Sequence, residues 1–169
     1  MDVTVREAVP DDAPRIRAVH LDAIEALGGE AYSDEQVAAW AHDRDPAEYP
    51  IETTETHAVV AEREKRLVGF GWMRPDAEEY LKAPVDGEIT AVYVDPSVAR
   101  QGVGTRLCTE LEAAARRHGV ESLGLWASRN AVPFYEAQGY RRVTEHTIGF
   151  GDGVEGTVVE MQKQLTSER

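Results

Sequence analysis

The sequence contains a single cysteine, few lysines and no long hydrophobic run. Because Cys108 has no second cysteine to pair with, an internal disulfide is excluded, and we expect a reducing, cytoplasmic location. No apolar stretch approaches the roughly 20 residues that span a bilayer. The N-terminal residues also lack a basic and then apolar signal region. The five histidines are scattered without metal-ligand spacing, so we predict no metal site.

Positive charge is scarce as well. Lysine and arginine together number 18 against 31 aspartates and glutamates, which gives a formal net charge of −13. A surface this acidic repels nucleic acid and anionic membranes, so we expect neither as a partner. Two interpretations of the charge stay open. One is adaptation to high salt, which screens the self-repulsion, and the other is an arginine-favouring genome with an ordinary acidic protein.

The remaining composition is that of an ordinary globular protein. With 169 residues, 42% hydrophobic and 29% charged, we expect one domain over residues 1–169. Hydrophobic periodicity predicts helices that begin near Asp11, Ser33, Gly102 and Asn130, the second of them with a capping box of Ser33 and Gln36. It predicts strands near residues 3–9, 57–62, 67–73, 89–94, 122–127, 140–148 and 156–165, with loops at 43–56 and 75–86.

Two glycines stand where the strand at Ile89–Val94 gives way to a helix. The first N–H groups of a helix have no partner within it, and the helix dipole makes this end positive. Gly102 and Gly104 remove the β-carbons that would keep a diphosphate away from these groups, and Arg100 can add a charged contact. A tight turn that binds nothing is the alternative. The spacing matches neither GxxxxGK[ST] nor GxGxxG.

The segment from Pro96 to Leu107 resembles the acetyl-CoA loop of the GCN5-related N-acetyltransferases, R/Q-x-x-G-x-G/A. Ala99 stands where the pattern has arginine or glutamine, and Arg100 and Gln101 follow it. Residues 130–140 resemble the family's second segment, N-A-x-x-F-Y-x-x-x-G-F/Y, in the expected order and at the expected distance. The resemblance implies an α/β fold with a mixed α+β sheet and the element order β-α-α-β-β-β-α-β-α-β-β.

The resemblance also implies a function and a set of binding residues. The function is N-acetyl transfer from acetyl-CoA, as co-substrate, to a primary amine within a ternary complex. The expected contacts with the cofactor come from main-chain groups on the central strand, from the glycine loop and from the start of the last helix: Val92, Val94, Arg100, Gln101, Gly102, Val103, Gly104, Thr105 and Asn130. Capping of the following helix is a second role open to Asn130.

Two side chains are candidates for proton transfer. Glu88 corresponds to a glutamate that often acts as the base in this family, and it shares a strand face with Val92 and Val94 if no bulge intervenes. A water-facing glutamate at a strand entrance is the alternative. By resemblance, Tyr135 is the acid that protonates the departing thiolate, and a core tyrosine packed beside Phe134 is its alternative.

Other interpretations stay open at this stage. Cys108 raises the possibility of an acetyl-cysteine intermediate with ping-pong kinetics. A sensor module that binds acyl-CoA without transfer, and a site for another nucleotide, would show the same loop. The resemblance places the acceptor between the first two helices and the last hairpin, which contain Glu25, Glu30, Tyr32, Asp34, Glu35, Trp40 and the 149–153 loop. The acceptor itself is open among a small molecule, a peptide N-terminus and a protein lysine, and so is a homodimer.

Overall fold

The computed structural model describes residues 3–27, 32–40, 56–77, 81–98, 100–151 and 153–165. Its strands are β1 Thr4–Glu7, β2 His57–Arg63, β3 Arg66–Arg74, β4 Gly87–Val94, β5 Ser122–Ser128, β6 Arg141–Gly151 and β7 Val154–Gln164. Its helices are α1 Ala13–Leu27, α2 Asp34–Trp40, α3 Val103–Arg117 and α4 Val132–Ala137. This order confirms the predicted α/β fold. Ala99 and most of the predicted 43–56 loop lie outside the described residues.

Local sequence signals account for several boundaries. The predicted capping box is confirmed, since Ser33 N donates to Gln36 Oε1 at 2.9 Å and Gln36 N donates to Ser33 Oγ at 3.1 Å. The β2–β3 hairpin turns at Glu64 and Lys65, whose φ angles are 53° and 66°. Two consecutive positive φ values match the right-handed twist of the flanking strands.

The described strands form one sheet in the order β1-β2-β3-β4-β5-β7-β6. Helix α3 packs on one face, where glycines allow a close approach. A β-carbon at Gly69 would lie 3.1 Å from Leu107, and one at Gly71 would lie 3.0 Å from Leu111. Helix α1 covers the other face through a cluster of buried residues that includes Ile16 and Phe70. No helix of the described segments is long and apolar enough to cross a membrane.

The sheet opens at its centre. Strands β4 and β5 run parallel and pair only at Gly87 with Leu123 and at Glu88 with Gly124. On its other side β5 pairs with β7 along its whole length. The later residues of β4 and β5 therefore border a gap in the sheet, and the candidate site is built around this gap.

Candidate active site

A cavity of about 430 Å³ lies between the gap and the start of α3. We call it the first cavity. It is lined by all the predicted site residues except Glu88 and Gln101, namely Val92, Val94, Arg100, Gly102, Val103, Gly104, Thr105, Asn130 and Tyr135. Folding therefore brings together the two sequence segments that carry the family resemblance.

The N-terminus of α3 is open toward this cavity. Gly102 is the N-cap residue, with φ of 88°, and no side chain of the described residues caps the helix there. Among the described residues, nothing lies within 4 Å of the position of a β-carbon at Gly102, so the backbone conformation rather than space favours glycine. Arg100 also has a positive φ, 63°, and lines the cavity. The uncapped N–H groups and the helix dipole make this end suitable for an anion.

The second glycine of the loop joins the two motifs. A β-carbon at Gly104 would lie 3.0 Å from the ring of Phe134, so glycine allows α4 to pack against the first turn of α3. Gln138, at the end of α4, donates a hydrogen bond from Nε2 to Thr105 Oγ1 at 3.0 Å. The two motifs are thus in direct contact.

Gln101 does not join the site. Its Oε1 accepts a hydrogen bond from Arg63 Nη1, at 3.0 Å, across the end of the β2–β3 hairpin. The side chain is exposed and lines neither this cavity nor the one described below. Gln101 therefore links the glycine loop to the β2–β3 hairpin.

Asn130 lines the first cavity, and it does not cap α4, which was the second role open to it. A 3-10 turn at Arg129–Ala131 precedes the helix, so Ala131 occupies the N-cap position, and no side chain of the described residues caps it. The Oδ1 atom of Asn130 is buried and has no hydrogen-bond partner among the described residues. A buried acceptor without a donor is costly, and its place in the cavity wall suits a donor from a ligand.

Tyr135 stands between two cavities. It is 7% exposed, and its ring meets those of Phe134 and Tyr140 at centroid distances of 5.1 and 5.7 Å. Its hydroxyl makes no hydrogen bond to the described residues. Burial, followed by the nearby Cys108 and Tyr93, raises the pKa of Tyr135 well above its usual range. The hydroxyl is therefore protonated at neutral pH and is able to donate.

A second cavity, of about 390 Å³, lies across the gap. It shares Val92, Tyr93, Ser128, Ala131 and Tyr135 with the first cavity. Of the predicted acceptor wall, Tyr32 and Gly149 line it, whereas the exposed Glu25, Asp34 and Glu35 do not. Glu30 and the Trp40 side chain lie outside the described residues. Sequence reasoning missed Tyr93, Trp126 and Ser128, because their strand positions gave no sign of a gap beside them.

Glu88 lies at the closed end of the gap, away from both linings. Trp72 pairs with Ala91 and Met73 with Ile89, so Thr90 forms a β-bulge. The bulge shifts the alternation by one residue and turns Glu88 to the face opposite Val92 and Val94. Glu88 is 2% exposed. The prediction that Glu88 shares a face with Val92 and Val94 applied to a strand without a bulge, and β4 contains one.

Comparison with known proteins gives the family. A family model described as an acetyltransferase (GNAT) domain matches residues 29–165. The crystal structure of a GCN5-related N-acetyltransferase from Rhodopseudomonas palustris is 30% identical in sequence, with a TM-score of 0.83 over 98% of this chain and 97% of that one. A phosphinothricin acetyltransferase from Sinorhizobium meliloti, solved in complex with acetyl-CoA, is 21% identical, with a TM-score of 0.73 over 98% and 89% of the two chains.

A curated relative is more similar over a shorter region. Mycothiol acetyltransferase from Sanguibacter keddieii is 40% identical over 93 residues, which cover 51% of this chain and 28% of the relative. The chain thus spans less than a third of that relative's length. The family model and the Rhodopseudomonas structure, in contrast, cover most of the chain. The resemblance found in the sequence is confirmed, and the chain belongs to the GNAT acetyltransferase family.

Proposed function

We propose that the protein transfers the acetyl group of acetyl-CoA to a primary amine by direct attack within a ternary complex. The observation that carries the proposal is the meeting of the two cavities at the β4–β5 gap, with Tyr135 in the wall of both. A donor in the first cavity and an acceptor in the second would meet beside this hydroxyl. Membership of the GNAT family supports the same arrangement.

The first cavity fits coenzyme A by its chemistry. The open N–H groups at the start of α3, together with Arg100, suit the two negative phosphates. The pantetheine arm contains amide groups, which can pair with the exposed edge of β4 as a peptide strand would. The unpartnered Oδ1 of Asn130 is an acceptor that a bound N–H or O–H group can satisfy.

The reaction needs a base, a donor for the carbonyl oxygen and an acid. The amine nitrogen bonds to the acetyl carbon and loses a proton, while the carbon–sulfur bond breaks and leaves a thiolate. Tyr135 donates its proton to that sulfur and recovers one from solvent. Burial raises the pKa of a phenol and of a thiol alike, so the same environment that weakens the acid also makes the departing thiolate more basic. Because Glu88 lines neither cavity, we propose that the amine proton reaches it through water.

Direct attack is favoured over an acetyl-cysteine route. Cys108 is 1% exposed and lines neither cavity. Burial, with a further contribution from Glu112, raises the pKa of this thiol to about 12, so the nucleophilic thiolate is scarce at neutral pH. A sensor of acyl-CoA would need the first cavity alone, and the second cavity across the gap therefore favours a transferase.

The test is thiol release from acetyl-CoA in the presence of a panel of primary amines. We expect release that depends on both the enzyme and the amine, together with tighter binding of CoA than of ADP by thermal shift. CoA binding without thiol release for every amine would favour the sensor. Tighter binding of ADP than of CoA would favour a different nucleotide ligand.

A further inference from the structure

The described walls of the second cavity carry rings, aliphatic groups and hydroxyls, but no ionised side chain. The rings are those of Tyr32, Tyr93, Trp126 and Tyr135, and the aliphatic groups include Ile148 and Val158. We propose that the acceptor is a primary amine on an uncharged aromatic or aliphatic arm, and that the cavity discriminates against amines with a carboxylate beside the nitrogen, such as free amino acids. This inference rests on the proposed function.

The aromatic walls are held in place before any acceptor binds. The Tyr32 hydroxyl donates to the carbonyl oxygen of Thr157 at 2.7 Å and accepts from the N–H of Arg129 at 2.9 Å. The Tyr93 ring contacts His20 and Phe70, with centroid distances of 4.5 and 5.6 Å. Rings fixed in this way offer faces to an ammonium group with little loss of side-chain freedom.

One cation lies against these walls without lining the cavity. The Arg129 guanidinium lies 4.7 Å from the centroid of the Tyr32 ring, and Arg129 does not line the cavity. An acceptor carboxylate inside the described part of the cavity would thus lose water without gaining a positive partner. Transfer of an ionised group out of water without such a partner is strongly unfavourable.

A buried carboxylate lies beneath the Trp126 wall. The Trp126 ring meets His146 at 5.1 Å, and His146 Nε2 lies 2.7 Å from Oε1 of Glu160, which is fully buried. Burial alone would raise the pKa of Glu160, but hydrogen bonds from the N–H groups of Lys82 and Ala83 and from His146 outweigh it and lower that pKa. The group behind this wall is thus a carboxylate held by its own donors, and it offers an acceptor carboxylate no positive partner.

Two pairs of amines that differ only by a carboxylate test the inference. They are 2-phenylethylamine against L-phenylalanine, and 3-methylbutylamine against L-leucine. We expect kcat/KM for thiol release to be at least about tenfold higher for the member without the carboxylate, since an unpaired buried charge strongly disfavours the other. Equal values, or a preference for the amino acids, overturn the inference and leave the transferase function standing. Inactivity toward both simple amines also overturns it, and inactivity toward every amine of a wider panel removes the transferase function as well.

A charge placed in the wall provides the second arm of the test. Ile148 is half-buried on β6, an edge strand, and Ile148→Lys puts a cation into the second cavity. We expect the preference for 2-phenylethylamine over L-phenylalanine to fall by about tenfold, because the lysine pairs with the carboxylate. Thr147→Lys is the matched control, since Thr147 is exposed and its side chain points to the opposite face of the strand. Thermal unfolding checks that both variants fold. An unchanged preference in folded Ile148→Lys overturns the placement of the acceptor.

Discussion

Two buried tyrosines of one motif should differ in what the loss of the hydroxyl changes: stability for Tyr140 and turnover for Tyr135. The Tyr135 hydroxyl has no hydrogen-bond partner among the described residues, whereas the Tyr140 hydroxyl donates to Glu112 Oε2 at 3.0 Å. Lys163 Nζ donates to the other oxygen of Glu112 at 2.9 Å. Tyr140 is therefore part of a buried charged network, whereas Tyr135 lines both cavities.

The magnitudes follow from these contacts. A hydrogen bond to a charged group contributes about 1.5–3 kcal/mol, so Tyr140→Phe should lower the free energy of unfolding by that amount and the Tm by roughly 3–12 °C. Tyr135→Phe removes a hydroxyl that has no partner among the described residues and should change the free energy of unfolding by less than about 1 kcal/mol. Removal of a general acid typically lowers turnover by about 10²–10⁴-fold. We expect that loss in Tyr135→Phe and near-normal turnover in folded Tyr140→Phe.

The assay combines three measurements on the wild-type protein and both variants. Thermal unfolding gives the stability, calorimetric titration gives the affinity for acetyl-CoA, and thiol release with a saturating amine gives kcat. Acetyl-CoA affinity should stay within about threefold in Tyr135→Phe, because its hydroxyl is assigned to the leaving sulfur rather than to ground-state binding. Undiminished kcat in Tyr135→Phe, or a loss in both variants that follows their stability, would refute the assignment.

Three further changes test other parts of the site. Asn130→Ala should weaken acetyl-CoA binding by about tenfold in a calorimetric titration and leave the Tm unchanged, because its Oδ1 has no partner in the described part of the chain. Wild-type affinity would contradict this. Glu88→Gln should lower kcat near neutral pH, and less so at high pH where the amine arrives uncharged, with acetyl-CoA affinity unchanged; full activity at neutral pH would exclude the role. Burial raises the pKa of Cys108 to about 12 in the folded chain, so between about pH 9 and 12 only the unfolded chain loses this proton. The free energy of unfolding should therefore be unaffected by this group below about pH 9 and fall as pH rises toward 12, by up to about 1.4 kcal/mol per pH unit. Cys108→Ala should flatten that slope in urea titrations and retain activity, whereas loss of activity would restore the acetyl-cysteine route.

The parts of the site that rest on short-range rules could be predicted from the sequence. The turn at Gly102 and the N-terminus of α3 depend on residues within one helical turn of each other. The capping box of Ser33 and Gln36 is equally local. Tyr135 could be assigned to the site because it belongs to a motif with a characteristic spacing, and Gly104 of the first motif packs against the neighbouring Phe134.

Other features depend on pairing between distant segments, and the sequence pattern could not show them. Gln101 binds Arg63, which lies 38 positions earlier, instead of facing the cavity. Asn130 could have capped α4 if the helix began at the next residue. The 3-10 turn at Arg129–Ala131 instead includes Asn130 and makes Ala131 the N-cap. A glutamine or asparagine side chain can either bind a ligand or hydrogen-bond within the protein. Which of the two it does depends on the segments that fold around it.

The sequence alone therefore determined the order of the elements, the loop between β4 and α3 and the tyrosine of α4, because hydrophobic period and turn chemistry act over a few residues. The tertiary structure decided where β4 and β5 separate and which way Glu88 faces. A strand's alternation contains no sign of a bulge that arises from pairing with another strand, and Thr90 occupies such a bulge. The same limit applies to the second cavity, whose walls come from segments as far apart as Tyr32 and Val158. The described walls of this cavity contain no ionised side chain, and the proposed choice of acceptor depends on that. This property arises only when folding brings the walls together.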